Sequence, residues 1–294
     1  MPKFVATADN HLRPDTPICR KETPEEWAIY QEMVLQFIVD TANQHHADIL
    51  CAGDLTDSPH LSDSVMSMFF RVMSNLHGKF YTIGGNHVLP YRREANVYQS
   101  SVGLIKALHS DKLIYCDSVE HVENSRFEHS HRLNDEITLI HTLTFKTDDD
   151  IPFSVEAMTA QGLLDKYDTK WCISGDMHKP FIYENAGRYV INPGKMTVQT
   201  VGEKNEWPVV YLIDTDTDEI KEIKLPHDPL LITEEHLLRK RERTAEIESV
   251  LEAIKSGKTD VSLDYIKNLY YYVEHNKVSE GAIKIMDEIK EGVE

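Results

Sequence analysis

At 294 residues the chain can bury a full core, as one large domain or as a domain with an appendage. Its apolar share of 41% and charged share of 27% are ordinary for a globular protein, and no run approaches the roughly 18 apolar residues that span a membrane. The formal charge of −18 argues against a protein that coats duplex DNA through a broad basic surface, though not against a nuclease with a local basic groove. The opening run Phe4-Val5-Ala6 meets Asp9 at once, so it reads as a first strand and not as a cleaved signal. A helix is predicted over residues 25 to 44, started by Thr23-Pro24-Glu25-Glu26 and carrying an apolar stripe of Trp27, Tyr30, Val34, Phe37 and Ile38. Ile49-Leu50-Cys51-Ala52 is the next strand. A second helix places Val65, Met68, Phe69, Val72, Met73 and Leu76 on one face, and Phe80-Tyr81-Thr82-Ile83 is a strand ending at Gly84-Gly85.

A second set of strands is expected to begin with Leu113-Ile114-Tyr115 and to include Ile137-Thr138-Leu139-Ile140, Trp171-Cys172-Ile173-Ser174 and Tyr189-Val190-Ile191. Residues 120 to 135, rich in His and Glu, read as an exposed loop or hairpin, and residues 209 to 223 as a hairpin turning through 214 to 219. The alternation of strand and helix specifies an α/β fold over residues 1–226. Past Pro226 and Pro229 the composition shifts, and three amphipathic stripes (Ile247/Val250/Leu251/Ile254, Ile266/Leu269/Tyr270/Val273 and Ala282/Ile285/Met286/Ile289) make 227–294 a helical C-terminal subdomain, a cap or a docking element. Cys19, Cys51, Cys116 and Cys172 are dispersed with no Cys-x-x-Cys pair, which suits reduced thiols and a cytoplasmic location.

The chemically suggestive residues share one placement. Asp9 and His11, Asp54, Asn86 and His87, His141, and Asp176 and His178 each follow a predicted strand, where the loops of an α/β sheet converge. Glycines 53, 85 and 175 are expected to let the backbone turn just there. Carboxylate, amide oxygen and imidazole together suit two divalent ions such as Mn, Fe or Zn, which a carboxylate like Asp54 can bridge. Such a pair activates a hydroxide and grips the phosphoryl oxygens through an in-line displacement.

These blocks, Asp9-Asn10-His11, Gly53-Asp54, Gly85-Asn86-His87, His141 and Gly175-Asp176-Met177-His178, resemble the five signatures of the calcineurin-like metallophosphoesterases. The resemblance runs from residue 4 to about 225 and implies a four-layer α/β/β/α sandwich. It implies Asp9, His11 and His178 on a first metal, Asp54 as bridge, and Asn86, His141 and position 176 on a second. It also gives His87 a catalytic role on the leaving oxygen. One position departs: the family carries His where this chain has Asp176. As a ligand, Asp176 would bring a third carboxylate and favour Mn or Mg over Zn; otherwise it points away and the second site is weak.

Within the superfamily, Gly53-Asp54-Leu55-Thr56-Asp57, Gly175 to Pro180 and Asn192-Pro193-Gly194-Lys195 resemble the Mre11/SbcD group of DNA nucleases. That resemblance implies a Mn-dependent DNA nuclease acting with a Rad50/SbcC-type ATPase. A nucleotide phosphodiesterase or phosphatase, with the tail as lid or homodimer contact, is the alternative; a non-catalytic module on a degraded site is the third. Arg92, Arg93, Lys179 and Lys195 flank the metal loops as phosphate contacts or surface ion pairs. Arg239, Lys240, Arg241 and Arg243 form one basic cluster. His121, His129 and His131 read as exposed loop residues that could in principle hold an extra ion.

Overall fold

The first strand, β1 (Lys3–Thr7), is buried on both faces, the signature of a central strand covered on each side. The computed structural model that shows this describes residues 3–123 and 126–241, with positions 244, 245, 248, 268, 271, 272 and 275 beyond them. Helix α1 (Pro24–His45) starts at a capping box in which Thr23 and Glu26 satisfy each other's backbone N–H groups, and it buries Trp27, Tyr30, Val34 and Ile38. The strands β2 (Asp48–Cys51), β3 (Phe80–Thr82) and β4 (Leu113–Tyr115) then add one by one in parallel, with α2 (Asp63–Ser74) and α3 (Val102–Ala107) as crossovers. Here the sequence expectation needs correction. Leu113–Tyr115 does not open the second set of strands but closes the edge of the first, because the α3 crossover returns the chain to the same sheet.

The second sheet begins with the hairpin β5 (Val119–Glu123) and β6 (Arg126–Arg132), followed by β7 (Ile137–His141). A two-stranded piece, β8 (Thr144–Phe145) with β9 (Met158–Thr159), leads to α4 (Ala160–Lys166). Then come β10 (Trp171–Gly175), β11 (Phe181–Asn185) and β12 (Arg188–Asn192), and β13 (Val209–Asp214) and β14 (Glu219–Lys224) form a hairpin that returns to the first sheet beside β1. The orders are β14-β13-β1-β2-β3-β4 and β11-β12-β10-β7-β6-β5.

Period-2 alternation sorts the apolar side chains into three layers of core. Phe4, Ala6, Leu50, Leu139, Trp171 and Ile173 meet between the sheets, with Phe4 edge-on to Trp171 at 6.5 Å. On the outer side of the first sheet Val5, Ile49 and Phe80 pack under α1 and α2. On the outer side of the second, Ile140, Cys172 and Val190 pack under Leu163 and Leu164 of α4. Helix, sheet, sheet, helix is the four-layer α/β/β/α sandwich that the sequence resemblance implies.

The 120–135 segment is the hairpin edge of the second sheet, and it is less exposed than its composition suggests: Glu128 and His129 are buried. All four cysteines are free and buried. The chain divides into two compact units, Met1–Thr233 and Glu234–Glu294. Residues 227–233 continue along the first unit, where the Thr233 N–H donates to the Cys19 carbonyl at 2.7 Å and Ile232 is buried with Cys19 and Val198. Residues 235–241 are helical; the three apolar stripes beyond, and Arg243, lie outside the described residues. Among the described residues, no helix is long and apolar enough to cross a membrane.

Candidate metal centre

Asp9 and His11 leave β1, Asp54 leaves β2, Asn86 and His87 leave β3, His141 ends β7, and Asp176 and His178 leave β10. All five strands run parallel within their own sheets, so their carboxyl ends lie on one side of each. The glycines act mainly by close approach and less by turning. A Cβ on Gly85 would stand 2.3 Å from Oδ1 of Asp54, and one on Gly175 would stand 2.3 Å from the Ala52 carbonyl; only Gly53 has a positive φ, +91°. The strained turns fall instead on the functional residues. Asp9, His11, Asp54 and Asp176 have φ of 46°, 44°, 44° and 76°, a left-handed conformation that costs on the order of 1 kcal/mol or more at each non-glycine residue.

Three imidazoles line the centre. His178 Nδ1 is 2.8 Å from Oε1 of Glu203, and His141 Nδ1 is 2.9 Å from the Ala52 carbonyl. The Asp57 carboxylate stands 3.5 Å from Nδ1 of His11, and Arg13 lies 3.2 Å from its other oxygen. The Nδ1 atoms of His178 and His141 are thus hydrogen-bonded, which turns each Nε2 inward, whereas Nδ1 of His11 makes no hydrogen bond and only stands near the Asp57 carboxylate. Those Nε2 atoms point inward together. His11 Nε2 and His178 Nε2 are 3.3 Å apart, and His141 Nε2 is 3.2 Å from Oδ2 of Asp54 and 3.9 Å from Oδ1 of Asp176.

The carboxylates complete the ring. Both oxygens of Asp9 accept from the Asp176 N–H, and Oδ1 of Asp54 accepts from the His87 N–H. Asn86 donates its amide N–H to Oδ1 of Asp176 at 2.9 Å, leaving its own Oδ1 buried without a partner. Oδ2 of Asp54 and Nε2 of His141 are likewise buried and unsatisfied. Among the described residues, no Lys or Arg pairs with Asp9, Asp54 or Asp176. Burial raises the Asp9 carboxyl to about 7, and it lowers the His11 imidazole to about 3. For His141 burial acts the same way, but Asp54, Asp176 and Asp9 carry it up to about 10. Buried acceptors converging on one volume, with the His141 ring but no Lys or Arg to offset three carboxylates, call for positive charge from outside. The donor set fits divalent cations. Among the described residues three groups have ligand atoms within 4.8 Å of one another: Asp9/His11/His178 and Asp9/Asp54/His141, which are buried or half-buried, and His11/Asp57/His87, which reaches the surface at His87. Asp9 is common to the first two, whereas the sequence resemblance gives the bridge to Asp54.

Oδ1 of Asp176 accepts from Asn86 and lies 3.9 Å from Nε2 of His141, beside the second group but not a member of it. His87 is exposed, its ring edge-on to His11 at 4.8 Å and its Nδ1 3.2 Å from the Asp57 carbonyl. Lys179 and Arg92 are exposed, and Arg93 pairs with Glu120 at 2.6 Å. Lys195 departs from its expected place at the surface: its side chain is only 3% exposed and pairs with Glu203 behind His178. His129 is likewise buried and not in an exposed loop, its Nδ1 3.3 Å from Ser118 Oγ. Asp57 and Glu203, the two carboxylates that orient histidines, had no assigned role in the sequence. Asp57 lies inside a recognised block and could have been found there; Glu203 lies 25 residues beyond His178 and leaves no local signal.

No family model matches the chain, and no curated protein matches it. Among solved structures it is similar to an archaeal phosphodiesterase (14% identity, TM-score 0.39, covering 76% of this chain and 99% of that one). It is also similar to wild-type Vps29 of Entamoeba histolytica complexed with zinc (13%, 0.36, 76% and 98%). A conserved protein of Streptococcus pneumoniae TIGR4 described as a phosphoesterase is at 10% identity and TM-score 0.34, covering 76% and 97%. These likenesses are distant.

Proposed function

We propose that the chain is a phosphoester hydrolase that works with two divalent ions. One observation carries the reading: three histidines turn Nε2 toward three carboxylates with which, among the described residues, no Lys or Arg pairs. Bound divalent ions would supply Lewis acidity toward a phosphoryl oxygen and an activated water. The chain's own residues do the rest. His11, His178 and Asp9 would hold one ion; His141, Asp54, Asn86 and Asp176, with Asp9 shared, the other. His87, at the exposed mouth, is placed to give a proton to the leaving oxygen. Lys179 and Arg92 are exposed on loops that follow ligand residues, where they can meet substrate phosphates. Manganese suits a centre with three carboxylates and an amide oxygen. The four buried, free thiols suit a reducing, cytoplasmic setting.

The finer reading is a DNA phosphodiester, supported by the Gly53–Asp57, Gly175–Pro180 and Asn192–Lys195 sequence blocks. The test incubates metal-loaded protein with linear DNA, hairpin DNA, bis-p-nitrophenyl phosphate and mononucleotides. Cleavage of DNA and of the chromogenic diester is expected. Turnover of mononucleotides with every DNA form intact would move the substrate to a small molecule. No turnover at all, with Asp54→Ala retaining its full metal content, would overturn the hydrolase reading.

A further inference from the structure

The loop after β12 is built in a way that the proposed reaction does not by itself require. Lys195 is a lysine with a buried side chain, and its only ion-pair partner among the described residues is Glu203. Glu203 spends both oxygens: Oε1 on Nδ1 of His178, Oε2 on Lys195 and on the backbone N–H of Thr200, at 3.1 Å. The same loop reaches the neighbouring ligand, since Gln199 donates its side-chain amide to the His11 carbonyl at 3.1 Å. A surface carboxylate would swing among rotamers. This one is pinned from the lysine side and from the backbone side, with its free face toward a histidine.

We propose that Glu203, clamped by Lys195, is a positioning residue that fixes the ring and the tautomer of His178 as a metal ligand, and thereby sets the affinity of the Asp9/His11/His178 side. The inference rests on the two-ion reading above. A carboxylate accepting from Nδ1–H keeps the proton on that nitrogen, presents Nε2 as lone pair, and makes the ring a stronger donor. Lys195 has a further effect. Its charge cancels that of Glu203, so the histidine gains a strong acceptor without a fourth net negative charge beside the centre. Lys195 is thereby reassigned from a substrate contact to a support of the metal side.

The experiment titrates the metal-free full chain with Mn²⁺ alone by calorimetry, for wild type, Glu203→Gln and Glu203→Ala, with circular dichroism on each variant. Wild type should take up two ions. Glu203→Ala should lose about 10- to 100-fold in the affinity of one binding event and leave the other unchanged. Glu203→Gln should fall between them, because its amide oxygen still accepts from Nδ1 while the pair with Lys195 is lost. Nitrogen-15 spectra of the imidazoles should show one His178 tautomer in wild type and a mixture in Glu203→Ala. A folded Glu203→Ala with both affinities and the tautomer unchanged would overturn the proposal. So would an equal loss at both events, which a merely structural role would give. Wild type that binds no divalent ion would instead overturn the two-ion reading itself.

Discussion

The two sides of the metal centre use the same residue type and support it differently. On the His11/His178 side each imidazole has a carboxylate beside Nδ1, Glu203 hydrogen-bonded to His178 and Asp57 at 3.5 Å from His11 without a hydrogen bond, and each carboxylate has a cation behind it, Lys195 or Arg13. On the other side His141 faces only the Ala52 carbonyl, and the remaining donors are an amide oxygen and Asp176. Carboxylate-backed histidines are the better donors and the more rigid ones. The contrast suggests a first side that holds its ion tightly and a second side that is harder in chemistry, easier to empty and more exposed to proton competition. Position 176, where the sequence departs from the resemblance, falls on the second side.

The largest effect should come from the residue the sides share. Asp9→Ala should remove both ions, which elemental analysis of the purified protein would read directly. It should also lower kcat/KM on a phosphodiester by about a thousandfold or more, some 4 kcal/mol. Retention of one full equivalent would show that Asp9 serves a single side. Asp176→Asn should be gentler and one-sided. It removes a charge but keeps an oxygen, so one ion should stay at wild-type affinity while the other weakens by about 10- to 100-fold, the loss of about 1.5–3 kcal/mol of charged interaction. Equal weakening of both events in the titration would erase the distinction between the sides.

Gly175→Ala probes the same contrast through packing. Its Cβ would meet the Ala52 carbonyl at 2.3 Å and Nδ1 of His141 at 2.8 Å, so the strain falls on the second side. Overpacking of this kind costs about 1–3 kcal/mol. A lower melting temperature in the metal-free protein, with the tighter binding event intact, is the expected result. An unchanged melting temperature would mean that the sheets can part there without cost.

Much of this is legible in the sequence. Strand-end placement and residue type point to the side chains that converge at the candidate site, and the capping box and apolar stripe identify α1. What escaped has physical reasons. The left-handed backbone at Asp9, His11, Asp54 and Asp176 falls where loops from two sheets meet, and no local pattern records it. Leu113–Tyr115 carries the same apolar signature whichever sheet it joins, so its sheet follows only from the crossover. Lys195 and Glu203 look like two surface charges eight residues apart; only the turn through Thr200 folds one onto the other. Burial of His129 depends on its strand partner His141, a pairing set by the register of β6 and β7.

The finest difference between the sides is a proton. In the metal-free protein the aspartates around His141 outweigh burial and lift its value from 6.5 to about 10, so the ring is charged at neutral pH. A raised folded value stabilises the metal-free fold fully below pH 6.5, and that contribution is lost as the pH climbs through about 10. An ion on the second side needs Nε2 of His141 as a lone pair, so binding there must expel the proton. His11 differs: burial holds it neutral down to about 3 and it has none to expel, while at His178 burial is outweighed by the Glu203 hydrogen bond together with the Asp9 charge, which raise the value. At pH 8, above the value of about 7 for Asp9 and below that of His141, binding on the second side should release about one proton per ion. Calorimetry in two buffers of different ionisation enthalpy counts that release. Asp176→Asn, titrated only through its tight event, should release markedly fewer protons than wild type filled with two ions. Equal release would place the proton on the tight side and break the contrast between a carbonyl-backed and a carboxylate-backed histidine.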